Sequence, residues 1–263
     1  MNFLDYKETQ IAYNDTGKGA GLVFLHGFLE SKSFFDKIIG DFSKNYRCIS
    51  IDLLGHGESG NIGYIHHMED MADAVFAVLN HLKLRKIILI GHSMGGYVSL
   101  AFADLYPDHI RGICLLNSSS RADSEERKLG RDRAIEQIKK NHKSFIRIAI
   151  PQLFRPKNRI QFKEEIKQIK LESLKCSVQG IIAALEGMKI RVDREVILHF
   201  APYPKLIITG KKDGILPLKT QIEQTIDNDV DLDILPDGHM SLIENYQETF
   251  YSLRRFIGQC LNP

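Results

Sequence analysis

The stretch Lys86-Ile87-Ile88-Leu89-Ile90-Gly91-His92-Ser93-Met94-Gly95-Gly96-Tyr97 decides the fold class of this chain. After Lys86, Ile87 to Ile90 form an unbroken, branched apolar run, the pattern of a strand buried on both faces of a parallel sheet. Gly91 to Gly96 then supplies a tight glycine-bearing turn, and Tyr97 to Tyr106 reads as a helix stopped by Pro107. Strand, G-x-S-x-G and helix in that order lift a serine hydroxyl above the C-terminal edge of a sheet. Side chains at positions 91 and 95 would collide with the adjoining strand or helix. The helix beginning near Met94 turns free N–H groups and its positive dipole end toward the reacting oxygen. Ser93 is therefore the candidate nucleophile of a reaction that passes through an acyl-enzyme.

The same alternation continues on both sides of this turn. Leu22 to Leu25, Cys48 to Ile51, Gly112 to Leu116, Lys205 to Thr209 and Val230 to Leu235 are further strand-like runs bounded by turn residues. Met68 to Leu82 lies between two of them and repeats Met71, Val75, Val78, Leu79 and Leu82 at helical spacing. Alternating strands and helices predict an α/β fold, a mostly parallel sheet with helices on both faces. Phe3 to Tyr13 reads as an antiparallel hairpin leading into it. Residues 121–200 break the rhythm, with helix-favouring segments around Glu125 to His142, Phe162 to Ser173 and Val178 to Met188. They predict a helical insertion, or lid, inside a core formed by residues 1–120 and 201–263.

Acyl transfer places negative charge on a carbonyl oxygen, which demands two preorganised donors. The backbone N–H of Met94 is one candidate, and that of Phe28 is the other, because Leu22 to Leu25 runs into the turn His26-Gly27-Phe28. The Phe28 and Met94 side chains are expected to wall the acyl pocket. A base must take the serine proton, and ten histidines compete for that role. His239 is favoured, since Pro236-Asp237-Gly238-His239 follows the last strand-like run and precedes a helical C-terminus. His26 is read as a structural residue bonded to nearby backbone, His92 as pointing away from its neighbour Ser93, and His56 as shaping the pocket floor. The carboxylate that orients the base is assigned to Asp213, on the loop after Lys205 to Thr209, with Asp237 and Asp52 as rivals.

Ser93, Asp213 and His239 stand in the chain order of the α/β-hydrolase family, and the whole set resembles its lidded, carboxylesterase-like members. His26-Gly27-Phe28 looks like the oxyanion loop, Asp52 to Ser59 like the loop after the fourth strand, and Gly91 to Gly96 like the nucleophile elbow. The resemblance implies an eight-stranded sheet, no cofactor, and ester hydrolysis by Ser93 with His239 as base. A serine at the elbow argues against the haloalkane dehalogenases, which use aspartate there. Asn117 ends the strand after the elbow helix, so the members with their acid at that place are not the match. Leu185-Glu186-Gly187-Met188, followed by Arg191, Asp193 and Arg194, resembles a stretch of enol-lactonase-like hydrolases. Thioester or carrier-linked methyl ester hydrolysis, C–C hydrolysis, lyase chemistry, cofactor-free peroxidation and a ligand receptor all use this fold.

Composition narrows the partners. A net charge of +2 and scattered aromatics leave no nucleic-acid footprint. No apolar run reaches the roughly 18–20 residues of a membrane span, and the first residues carry no secretory pattern, so a cytoplasmic protein is expected. Cys48, Cys114, Cys176 and Cys260 lack metal-ligand spacing, and neither disulfides nor a metal site is expected. Residues 121–195 hold 19 Lys and Arg against 11 Asp and Glu, although the whole chain is nearly balanced. Besides a small-molecule ester, an anionic acyl carrier is thus a candidate partner, with Arg127, Lys128 and Arg131 as capture residues. Oligomeric state has no signature in the sequence.

Overall fold

Apolar runs become strands here wherever both faces can be covered. The computed structural model describes residues 1–262. β1 (Asn2–Tyr6) and β2 (Thr9–Thr16) form the antiparallel hairpin, and β2 pairs antiparallel with β4 (Arg47–Ile51). β3 (Gly21–Leu25), β5 (Ile87–His92), β6 (Ile110–Leu116), β7 (Lys205–Gly210) and β8 (Asp231–Leu235) complete the sheet, and all six strands from β3 onward run parallel. The order is β1-β2-β4-β3-β5-β6-β7-β8, an α/β architecture with eight strands. Every residue of β3, β5 and β7 is buried, as the apolar runs Leu22 to Leu25, Ile87 to Ile90 and Leu206 to Ile208 within them require.

The two-residue period of a strand divides those side chains between two cores. Val23, Leu25, Leu89 and Leu115 face α2 (Met68–His81) and α3 (Met94–Leu105). Leu22, Phe24, Ile90 and Leu116 face α1 (Asp36–Phe42) and α10 (Tyr246–Leu261). Each Ile, Leu or Phe fully buried in this way contributes about 1.5–3 kcal/mol relative to exposure. Helices on both faces leave the C-terminal ends of the parallel strands as the open edge, where ligands bind in such sheets.

Between β6 and β7 lie α4 (Glu125–Gln152), α5 (Lys163–Ser173), α6 (Val178–Ile190) and α7 (Glu195–Phe200). α4 extends beyond His142, the expected end, because it bends at Asn141 and restarts. Asn141 has φ −163° and ψ 88°, and its side-chain oxygen accepts the Ser144 N–H at 3.0 Å, capping the second half. Two short helices, α8 (Leu218–Glu223) and α9 (Ser241–Glu244), follow β7 and β8. Among the described residues no helix is long and apolar enough to cross a membrane.

Candidate active site

The turn between β5 and α3 is tight enough to force its own sequence. Ser93 sits at φ 49° and ψ −114°, a conformation that costs on the order of 1–3 kcal/mol. Three hydrogen bonds hold it there: Ser93 N–H donates to Leu116 O at 3.0 Å, while Ser93 O accepts Gly96 N–H at 3.0 Å and Ser118 O–H at 2.6 Å. A side chain at Gly95 would run into the Leu25 and His26 carbonyls, and one at Gly91 into the Gly95 carbonyl. Those two glycines let β5, β3 and α3 pack closely enough to push Ser93 out at the sheet edge.

Ser93 Oγ lies 2.9 Å from His239 Nε2, and His239 Nδ1 lies 2.7 Å from Asp213 Oδ2. An ionised carboxylate only accepts, so Nδ1 carries the imidazole proton and Nε2 is left to accept the serine O–H. The side chain of Asp213 is fully buried. Burial alone would raise its carboxyl, yet His239 and the N–H groups of Ile215 (2.7 Å) and Leu216 (2.9 Å) hold it below the usual range. The rival carboxylates are committed elsewhere: Asp237 to Arg155 and Asn245, Asp52 to Lys32 and the Glu58 N–H.

The loop bearing His239 is tied to the end of α4. His239 N–H donates to Leu153 O at 3.0 Å, and Arg155 pairs with Asp237 at 2.8 Å. Glu244 accepts from the backbone N–H of Arg155 (2.9 Å) and Gly238 (3.1 Å) and from the Asn158 amide (2.9 Å).

Among the other histidines, His26 Nε2 accepts the Leu53 N–H at 2.9 Å, leaving Nδ1 to donate to Gly27 O at 2.8 Å. This is the backbone-bonded position expected of it. His56 is buried against the Leu54 carbonyl, with its pKa pushed down to about 3 by burial and by His26. His92 points away from Ser93, with Nδ1 2.9 Å from Glu30 Oε2 and Nε2 3.1 Å from His239 O. Both ring nitrogens face acceptors, which is the pattern of an imidazolium. Burial would lower His92, but Glu30 raises it, and His92 with the Gly27 N–H holds the buried Glu30 low. Glu30 thus joins the Gly27 turn to the elbow, a link the sequence reading missed.

Phe28, Ser93 and His239 line one cavity of about 190 Å³ together with Phe145 and Ile150 of α4 and Leu153 at its end. Met94 departs from expectation. As the first residue of α3 it turns its side chain into the core, fully buried, and does not wall the cavity. Asn117 does more than exclude an acid from the end of β6. Its amide donates to Asp213 Oδ2 and to Gly238 O, each at 3.3 Å, from a left-handed backbone with φ 45°. Asn117→Gly keeps that backbone and removes both bonds, and kcat for an ester is expected to fall about tenfold with little change in thermal midpoint. Steady-state kinetics beside a melting curve checks it; unchanged kcat would mean that the amide does not position Asp213.

Residues 22–135 match the model of the alpha/beta hydrolase fold. A solved thermophilic esterase from Thermogutta terrifontis is 31% identical, with a TM-score of 0.90 over 96% of this chain and 94% of that one. The chain belongs to the α/β-hydrolase family. Among curated relatives of this hydrolase, the dihydrolipoyllysine-residue acetyltransferase component of the acetoin cleaving system of Pseudomonas putida is 26% identical over 91% of the chain, which spans only 64% of that protein. The pimeloyl-[acyl-carrier protein] methyl ester esterase of Aliivibrio salmonicida is 25% identical over 95% of the chain and 96% of its own length. Esterase-like members are therefore among the relatives of this α/β hydrolase.

Proposed function

We propose that this α/β hydrolase cleaves carboxylic esters through an acyl-enzyme on Ser93. The unbroken chain from Ser93 Oγ through His239 to Asp213, at the wall of a cavity beside the nucleophile, carries this reading. His239 Nε2 takes the serine proton as Oγ attacks the ester carbonyl, and Asp213 stabilises the imidazolium that forms. The backbone N–H groups of Phe28 and Met94 receive the developing oxyanion. Collapse expels the alcohol, which takes the proton from His239. Water, activated by the same imidazole, then releases the acid. No step requires a metal or a cofactor. Residues 121–200 act as a lid that keeps bulk water from the cavity.

The Thermogutta esterase supports ester chemistry by its 31% identity over 96% of the chain. The methyl ester esterase, together with the excess of basic residues over 121–195, favours a carrier-linked or thioester substrate as the second reading. The four free, buried thiols fit a reducing compartment, and the cytoplasm is the proposed location. A fluorophosphonate probe is expected to label the chain once, on the peptide containing Ser93. Label on another serine, or none, would remove the proposal. A p-nitrophenyl ester panel from acetate to decanoate, run beside acyl-CoA thioesters, separates the two readings.

A further inference from the structure

Three guanidinium groups converge on one carboxylate at the wall of the Ser93 cavity. The side chain of Asp123 is fully buried, and its Oδ1 lies 3.1 Å from Arg127 Nε and 2.7 Å from Arg191 Nη1, while Oδ2 pairs with Arg131. Burial would raise the Asp123 carboxyl, but Arg131 and Arg191 hold it below its ordinary range, so it is ionised. Arg127 and Arg131 line the cavity together with Ser93 and His239. Arg191 stands behind them, 3.9 Å over the ring of Tyr97, itself a cavity residue. One negative charge thus answers three positive ones.

The remaining acceptors do not close the difference. Arg131 Nη1 has the Met188 sulfur at 3.5 Å, a weak acceptor for a charged donor. Arg127 Nη1 has the neutral Ile215 carbonyl at 3.1 Å. Glu30, the acid that lines the cavity itself, is committed to His92 and the Gly27 N–H. Lys128 is not part of the arrangement, since it pairs with Glu125 at the surface. Arg131 and Arg191 are largely buried and Arg127 is a third exposed, so the cluster holds two positive charges that Asp123 does not answer, and a guanidinium fork fits a carboxylate in geometry as well as in sign.

We propose that the cavity takes esters carrying a second, ionised carboxylate, held by Arg127 and Arg131. This rests on the ester-hydrolase reading and names its substrate class. The test compares monomethyl adipate with methyl hexanoate, and 4-(butanoyloxy)butanoate with pentyl butanoate, so that the charge sits on the acyl or on the alcohol side. The charged member of at least one pair is expected to show kcat/KM about tenfold or more above its neutral partner. Adipate alone should inhibit p-nitrophenyl butyrate competitively and bind in a calorimeter. In Arg127→Gln/Arg131→Gln the preference for the charged ester should fall at least about tenfold, through KM, with adipate binding lost. If that variant fails to fold, Arg131→Lys, which keeps the charge and loses the fork, is expected to weaken adipate binding. Equal or reversed selectivity in both pairs, with no adipate binding to the parent protein, overturns the inference while ester turnover keeps the parent reading intact. Absence of ester turnover and of fluorophosphonate labelling removes both.

Discussion

Ser93→Ala is expected to lower kcat/KM for p-nitrophenyl butyrate by about 10⁴-fold or more, because no other group at the site replaces the nucleophile. The substitution removes one oxygen from a residue whose backbone is held by Leu116, Gly96 and Ser118. None of those bonds uses the lost hydroxyl. The thermal midpoint should therefore stay within a few degrees of the parent, and His239 and Asp213 should remain paired. Turnover within tenfold of the parent would show that Ser93 is not the attacking group. The comparison requires single-turnover as well as steady-state rates, since slow deacylation can hide a change in acylation.

Asp213→Asn should cost about 10⁴-fold in kcat for a different reason. Its carbonyl oxygen can still accept the Ile215 and Leu216 N–H groups, so the loop holds. Its amide then faces His239 Nδ1 as a donor, which strips the proton from Nδ1 and places it on Nε2. The imidazole would present N–H to Ser93 and could no longer take its proton. There is also a pH signature. Because the folded Asp213 pKa is depressed, its ionised form stabilises the native state above the ordinary carboxylate pKa of about 3.9, and this contribution fades as pH falls through the lower, folded value. Asp213→Asn should flatten the acid limb of stability against pH, read by urea unfolding at a series of pH values. An unchanged acid limb with unchanged kcat would exclude Asp213 as the partner of His239.

The fold was legible wherever a constraint was local. Ile87 to Ile90 is apolar because both faces of β5 are covered, and the glycines at 91 and 95 are needed within a few residues of where they stand. Strand ends announced Asp213 and His239 for the same reason. What stayed hidden depends on pairs distant in sequence. Asn117 meets Asp213 across 96 residues and Glu30 meets His92 across 62, and neither residue type betrays such a partner. The expected helix ends at His142, whereas Ile146 and Ile150 resume the buried face beyond the bend at Asn141. Met94 was placed on the pocket wall, although the first turn of a buried helix had only the core for it. The charge count over 121–195 pointed to the basic segment but could not show that Lys128 faces away while Arg127 and Arg131 share one buried aspartate.

The bonds between the end of α4 and the His239 loop bear on how this enzyme can be recombined. Leu153, Arg155 and Asn158 belong to the inserted segment, whereas Asp237, Gly238, His239 and Glu244 lie more than eighty residues later in the core. The His239 loop thus hangs partly from the segment between β6 and β7. A chimaera that borrows residues 121–200 from a relative inherits foreign partners for that loop and can misplace the imidazole even when the sheet and elbow are untouched. A functional graft has to carry residues 236–245 along with the helices, so that exchange of specificity between such hydrolases moves two separated pieces of chain as one.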